Sequence, residues 1–116
     1  MKRKLVAAAV ILAGITLMQN CSSGKKITAP VAAVSFDKDV LPVMQNSCTP
    51  CHFPPDGRKE PLNTYDAVKN NIGHILERVK LPQNDIKFMP FKNKKPALTD
   101  SVINVLVLWE KQGMSK

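Results

Sequence analysis

The chain has 116 residues, which leaves room for one small domain with little apolar mass to stabilise it. Three cysteines and 5% aromatic residues do not support a fold built on a disulfide framework. The formal net charge is +8 at pH 7, but residues 2–4, all of them basic, precede an apolar run at the N-terminus and leave with it if that run is removed. The composition therefore favours one domain whose core is completed by a cofactor.

The N-terminal segment has the pattern of a secretory signal. Basic residues 2–4 precede an apolar run over 5–18, which is too short to span a bilayer because about 20 residues are needed. We therefore expect residues 1–20 to be a signal peptide and the protein to be exported to the periplasmic side. Cys21 follows where a lipoprotein signal places its lipidated cysteine, although residues 18–20 depart from the usual lipobox. Ordinary cleavage nearby, or an uncleaved anchor, are the alternatives.

Residues 21–34 have no amphipathic period and contain no aromatic residue. We expect a flexible, lipid-anchored linker here. The folded domain is expected over 35–116. Its first helix should begin between Ser35 and Asp39, because Phe36, Val40 and Met44 recur at helical spacing. Pro42 must lie in the first turn of that helix or kink it.

The run Cys48-Thr49-Pro50-Cys51-His52 follows this helix directly. In an exported protein, C-x-x-C-H is the attachment signature of a c-type haem. Two thiols three residues apart on one turn reach the two vinyl groups of one porphyrin, and His52 is then placed to bind the iron. We expect Cys48 and Cys51 to form thioethers and His52 to be the proximal ligand.

Three other interpretations of the motif were weighed. A thioredoxin-like C-x-x-C needs a βαβ context, which the flanking sequence lacks. A structural zinc site needs four Cys or His ligands, and only Cys48, Cys51, His52 and the distant His74 are available in the domain. A disulfide between Cys48 and Cys51 would close a small strained ring and leave His52 unexplained.

Residues 53–61 are rich in proline and predict a loop. A metal-bound histidine needs a hydrogen-bond acceptor for its other ring nitrogen, and we expect the carbonyl of Pro61 to serve. Leu62 should pack on the haem. Thr64 can cap a short helix that loosens at 70–71, before a second stretch that carries a clear apolar face. That face comprises Ile72, Ile75, Leu76 and Val79. His74 lies opposite this face and should point to solvent.

Residues 80–97 again predict irregular structure. Within them Met89 is flanked by Phe88 and by Pro90, which fixes the backbone beside it, so Met89 is the best candidate for the distal iron ligand. Met44 precedes the motif too closely to reach the other haem face, and Met114 lies beyond the last predicted helix. That helix should run from Thr99, a good N-cap, to Gly113, a good C-terminal stop, and Trp109 on it should serve core packing.

With these residues in place, 35–113 resembles a small class I c-type cytochrome. The resemblance depends on Cys48-Thr49-Pro50-Cys51-His52, on Met89-Pro90 in a late loop and on a final helix with an aromatic. It implies an all-α fold of short helices around one covalent haem c, with the terminal helices crossing and with His52 and Met89 as axial ligands. Leu62, Phe88 and Trp109 are the expected haem-packing residues. The first helix lacks the glycine that many relatives have at the crossing.

Two strong axial ligands favour single-electron exchange without substrate binding, and methionine ligation raises the reduction potential. The motif has no acid–base pair or nucleophile beside it, so we expect an electron carrier rather than an enzyme. The alternatives are a haem subunit, sensor or enzyme domain with an exchangeable sixth position, and an interaction lipoprotein without haem. We expect redox partners with acidic surfaces, facing Lys87, Lys92, Lys94 and Lys95, a membrane contact through the lipid anchor and no nucleic-acid partner.

Overall fold

The computed structural model describes residues 31–116, and the ordered elements of this part are all helical. Residues 31–116 contain no strand, so the all-α prediction is confirmed for this part of the chain. None of its helices is long and apolar enough to cross a membrane. The expected signal peptide, Cys21 and residues 22–30 of the expected linker lie outside the described residues. The elements are a π-helical turn over Phe36–Val40, α1 over Leu41–Ser47, α2 over Tyr65–Val79, a 3-10 turn over Phe91–Asn93 and α3 over Asp100–Lys111.

The first helix begins at Phe36, inside the predicted window, and its opening turn is π-helical. The N–H of Val40 reaches back to the carbonyl of Ser35 at 3.3 Å, and the N–H of Ser35 donates to the carboxylate of Asp39 at 2.8 Å. Pro42 then falls in the first turn of α1. Proline has no N–H to bond back to the preceding turn, and that turn is π-helical rather than α-helical, so the chain passes Pro42 without leaving the helical path. The helix therefore runs into Cys48 without interruption.

The second helix, α2, corrects one expectation. Residues 70–71 were expected to loosen the pattern, but α2 is continuous from Tyr65 to Val79. The side-chain amide of Asn71 donates to the carbonyl of Ala67 at 2.9 Å, so it is satisfied within the helix. The predicted cap is confirmed, since the hydroxyl of Thr64 accepts from the N–H of Ala67 at 3.3 Å.

Both ends of α3 follow the sequence signals. The hydroxyl of Thr99 accepts from the N–H of Val102 at 3.4 Å. At the other end Gly113 has φ of 90°. The N–H of Met114 donates to the carbonyl of Trp109 at 2.9 Å, and the N–H of Gly113 donates to that of Glu110 at 3.3 Å. These two bonds form a Schellman motif, which explains why the helix stops here.

An aromatic cluster at the start of the first helix joins the helices. The ring of Trp109 lies 5.9 Å from that of Phe36 and 6.1 Å from that of Tyr65, between centroids. The indole N–H of Trp109 donates to the carbonyl of Ser115 at 2.7 Å, and the N–H of Phe36 donates to the same carbonyl at 2.9 Å. The C-terminal tail thus fixes the start of the first helix, and the hydroxyl of Ser115 donates to the carbonyl of buried Val34, just before that helix, at 2.8 Å. The other buried core residues are Val40, Met44, Leu62, Val68, Ile72, Ile75, Leu76, Val79 and Leu106.

Candidate cofactor site

A cleft of about 660 Å³ lies at the C-terminal end of α1. Four segments line it: the end of α1 with the turn after it, the loop before α2, the second half of α2 and residues 89–95. Cys48, Cys51, His52 and Met89 all contribute to this lining. Its volume falls within the range of about 300–1,000 Å³ that small-molecule sites occupy. The structure therefore brings the four residues predicted to hold a cofactor to one cavity.

The residues 48–52, which we call the Cys48 turn, continue the helical path of α1. The N–H of Cys48 donates to the carbonyl of Met44 at 2.9 Å, and that of His52 donates to the carbonyl of Cys48 at 3.0 Å. Both thiols of the turn are free. Burial raises the pKa of the Cys48 thiol from 9.0 to about 11, although the ammonium of Lys95 acts in the opposite direction. Cys48 is consequently a neutral thiol at physiological pH.

The ring of His52 is oriented by a carbonyl, but not by the expected one. Its Nδ1 lies 2.6 Å from the carbonyl oxygen of Glu60, whereas Pro61 was predicted. The loop returns so that the N–H of Leu62 donates to the carbonyl of His52 at 2.9 Å, which turns the carbonyl of Glu60 toward the ring. A carbonyl can only accept, so Nδ1 carries the proton. In the neutral ring, this contact leaves the lone pair that a metal requires on Nε2.

Gly57 packs the returning loop against the backbone of the Cys48 turn. A Cβ atom at this position would collide with the carbonyl oxygens of Pro50 and Cys51. The N–H of Gly57 donates to the carbonyl of Phe53 at 2.9 Å, and the N–H of Lys59 donates to that of Cys51 at 3.1 Å. The loop can approach this closely only with glycine at 57. Sequence reasoning did not single Gly57 out, although a lone glycine in a proline-rich loop was a usable signal.

Met89 reaches the cleft from residues 80–98, which connect α2 to α3 and which we call the Met89 segment. Its N–H donates to the carbonyl of Arg78 on α2 at 3.2 Å, and its side chain is half-buried. Met44 is instead completely buried, with its sulfur 3.8 Å from that of Cys48. Met114 lies in the tail that follows α3, where its carbonyl accepts from the hydroxyl of Tyr65. Of these three methionines, Met89 is the one in the cleft lining.

The three expected haem-packing residues separate in the structure. Leu62 lines the cleft. Phe88 is buried but lines a different groove of about 380 Å³, beside Val79 and Ile103. Trp109 lies in the aromatic cluster and is absent from the lining. Leu62 is therefore the member of the expected set that lies where a cofactor would contact it, because Phe88 faces the other groove and Trp109 packs at the other end of the first helix.

His74 lies at the rim of the cleft, and its side chain is 79% exposed, as the position opposite the apolar face of α2 predicts. Its Nδ1 is 3.7 Å from a carboxylate oxygen of Glu77. Among residues 31–116, no three or more His, Cys, Asp or Glu side chains form a group that could hold a metal ion. This arrangement does not support the zinc interpretation, which needs His74 beside the Cys48 turn.

Cationic side chains exceed acidic ones around the cleft. Lys59, Arg78, Lys94 and Lys95 line it, against the single carboxylate of Glu60. Lys95 differs from the other lysines because it is half-buried and its ammonium is hydrogen-bonded to the Cys48 side of the cleft. The sequence grouped Lys95 with Lys87, Lys92 and Lys94, and Lys95 is the member of that group that is not exposed.

Comparisons of the chain with protein-family models, curated proteins and solved structures found no match. Its function must therefore be argued from the residues of the cleft.

Proposed function

We propose that this protein is an exported single-electron carrier with one covalently bound haem c. Cys48 and Cys51 form the thioethers, and His52 and Met89 are the axial ligands of the iron. The observation that supports the proposal is that these four residues, 41 positions apart from first to last, line one cleft together. Cys48, Cys51 and His52 have the chemistry of haem attachment, and Met89 can supply its sulfur as a second iron ligand.

Each residue of the set has a defined task. The thiols of Cys48 and Cys51 would hold the haem, each by adding its sulfur and hydrogen across one vinyl double bond, an addition that loses no atom and consumes no oxidant. His52 offers Nε2, because its Nδ1 proton is held by the carbonyl of Glu60. When bound, a haem supplies an iron that alternates between the ferrous and ferric states. Met89 favours the ferrous state and so raises the potential.

The remaining lining residues suit both the apolar ring of a porphyrin and its charged propionate groups. Leu62, Ile75 and Val79 supply apolar surface that excludes water. Of the cations that line the cleft, Lys59 and Arg78 can pair with propionate carboxylates, which would otherwise lie unpaired in a half-enclosed site. A protein whose two axial positions are both filled by its own side chains transfers electrons without binding a substrate, so the chain acts as a carrier and not as an enzyme.

The sequence pattern of residues 1–21 supports a periplasmic location for the carrier. We infer export by residues 1–20, lipidation of Cys21 and tethering on the periplasmic side of a membrane. Mass spectrometry of the mature N-terminus in the native host should find a lipid-modified Cys21. An unmodified thiol there would contradict the anchor but leave the haem proposal intact.

The experiment for the carrier uses protein expressed with a c-type haem attachment system. A denaturing gel stained for haem peroxidase activity should keep its stain after boiling, and acid–acetone should not extract the haem. The variant Cys48→Ser/Cys51→Ser should lose the covalent stain. A reduced spectrum with sharp low-spin α and β bands supports the carrier, whereas high-spin haem indicates a sensor or enzyme domain. Wild-type protein whose haem is extracted by acid–acetone would overturn the proposal.

A further inference from the structure

Lys95 joins two parts of the chain that are far apart in sequence. Its Nζ donates to the carbonyl oxygen of Asn46 at 2.8 Å and to the hydroxyl oxygen of Thr49 at 2.9 Å. Asn46 lies in the last turn of α1, and Thr49 lies between the two cysteines of the Cys48 turn. Lys95 itself follows Met89 by six residues on the Met89 segment. One side chain thus connects the thiol and histidine side of the cleft to the segment that carries the methionine.

The chemistry of both contacts favours a cation. The carbonyl of Asn46 belongs to the last turn of α1, where carbonyls lack helical partners and the helix dipole is negative. The hydroxyl of Thr49 donates its proton to the carbonyl of Gln45 at 2.7 Å, so its lone pairs are free to accept from Lys95. Bonds from a charged donor are stronger than neutral ones, and partial burial of Lys95 reduces their competition with water.

Few other hydrogen bonds hold the Met89 segment. Among those described, the ones that leave residues 80–98 for other parts of the chain go to Arg78, Asn46 and Thr49. Two bonds to Arg78 hold the segment to α2. The N–H of Met89 donates to the carbonyl of Arg78 at 3.2 Å, and the guanidinium of Arg78 donates to the carbonyl of Lys87 at 3.3 Å. Among the described hydrogen bonds, those from Lys95 are therefore the ones that connect the segment to the end of α1 and the Cys48 turn.

We propose that Lys95 is a positioning residue for the sixth iron ligand, because its bridge to Asn46 and Thr49 sets the distance between the Met89 segment and the Cys48 turn. The inference rests on the proposed haem ligation. The positive charge of Lys95 is bound by Asn46 and Thr49, so Lys95 does not belong to a docking surface. Breaking the bridge should let Met89 leave the iron more easily, so that an added ligand competes better for the sixth position.

The test is a titration of the oxidised, haem-loaded protein with imidazole, in wild type and in two matched variants. Lys95→Met keeps an unbranched side chain that is one atom shorter and removes the bridge. Lys94→Met makes the same change at the neighbouring lysine, which also lines the cleft but is exposed. Lys95→Met should bind imidazole at least roughly tenfold more tightly than wild type, because it loses both bonds of a charged donor and one such bond alone corresponds to about that factor. Lys94→Met should stay within about twofold of wild type.

Two further variants separate positioning from general loss of stability. Thr49→Val removes the side-chain acceptor but not the charge, and should shift imidazole binding in the same direction as Lys95→Met. Its effect should not add fully to that of Lys95→Met in the double variant, because both act on one contact. Lys95→Arg keeps the positive charge and enough N–H donors for both contacts, and should restore most of the wild-type affinity. Equal imidazole affinities in Lys95→Met and Lys94→Met, or full additivity with Thr49→Val, would overturn the inference.

Hydrogen exchange separates failure of the bridge from failure of the haem proposal. Peptides that cover residues 88–95 are compared in wild type, Lys95→Met and Lys94→Met, each as isolated from its host. Faster exchange in Lys95→Met alone supports the bridge, whatever the wild-type spectrum shows. Identical exchange in all three proteins contradicts the bridge, even if the wild type carries low-spin haem.

Discussion

The Cys48 turn and the Met89 segment line the same cleft but are held in place by different means. The turn is bound by backbone hydrogen bonds to α1 before it and to the loop 57–62 after it, all over short sequence distances. The segment has few backbone bonds to the rest of the chain and depends on side chains, above all on buried Phe88 and on Lys95. Backbone changes should therefore disturb the first region, and side-chain changes the second.

The largest effect is expected for Phe88→Ala, which removes the buried ring beside Met89. Its side chain is 3% exposed, so truncation should lower the free energy of unfolding by about 3–5 kcal/mol. Phe91→Ala is the matched control, because Phe91 is 41% exposed and should cost much less. Denaturant unfolding followed by Trp109 fluorescence measures both. Equal costs would show that the Met89 segment does not depend on burial of Phe88.

A smaller effect is expected for Gly57→Ala, which acts on the backbone of the Cys48 turn. The added Cβ collides with the carbonyls of Pro50 and Cys51, and overpacking of this kind costs about 1–3 kcal/mol. Gly73→Ala is the control: a Cβ at Gly73 meets no atom within 4 Å and should stabilise α2 by about 0.5–1 kcal/mol. Gly57→Ala should lower both the unfolding midpoint and the yield of haem-loaded protein. Gly73→Ala should raise both. A neutral Gly57→Ala would argue against the close approach.

A third effect concerns the exposed lysines of the Met89 segment. Lys92 and Lys94 are exposed, so Lys92→Glu/Lys94→Glu should slow electron transfer with an acidic partner about tenfold at low salt, and less as ionic strength rises. The absorption spectrum should not change. Lys38→Glu/Lys111→Glu carries the same charge change on exposed residues that do not line the cleft, and should have a smaller effect. Equal electron-transfer rates for both double variants would show that the lysines of the segment are ordinary solvated residues and do not steer a partner.

Local signals predicted much of the fold. Thr64 and Thr99 cap helices, and Gly113 ends the last one, because each acts on a backbone within a few residues of itself. Asn71 was misread, since its amide bonds back within the helix instead of breaking it. The all-helical class of the described residues could therefore be predicted from the sequence.

The details of the site were less accessible, because they depend on how distant segments meet. Any residue of the loop before α2 has a carbonyl, so the sequence could not distinguish Glu60 from Pro61 as the partner of His52. Likewise, nothing in a run of lysines marks Lys95 as the one that folds back on Thr49. The identity of the candidate ligands could be predicted, but not the contacts that orient them.

The most direct test of the account is the near-infrared absorption of the oxidised protein, in wild type, Met89→Ala and His74→Ala. The wild type should show the weak band of a thioether bound to ferric low-spin haem. Met89→Ala should lose that band and become high-spin, while His74→Ala should match the wild type, since His74 is 79% exposed at the rim. A band that survives Met89→Ala, or one that disappears in His74→Ala, would contradict the assignment of Met89 to the iron.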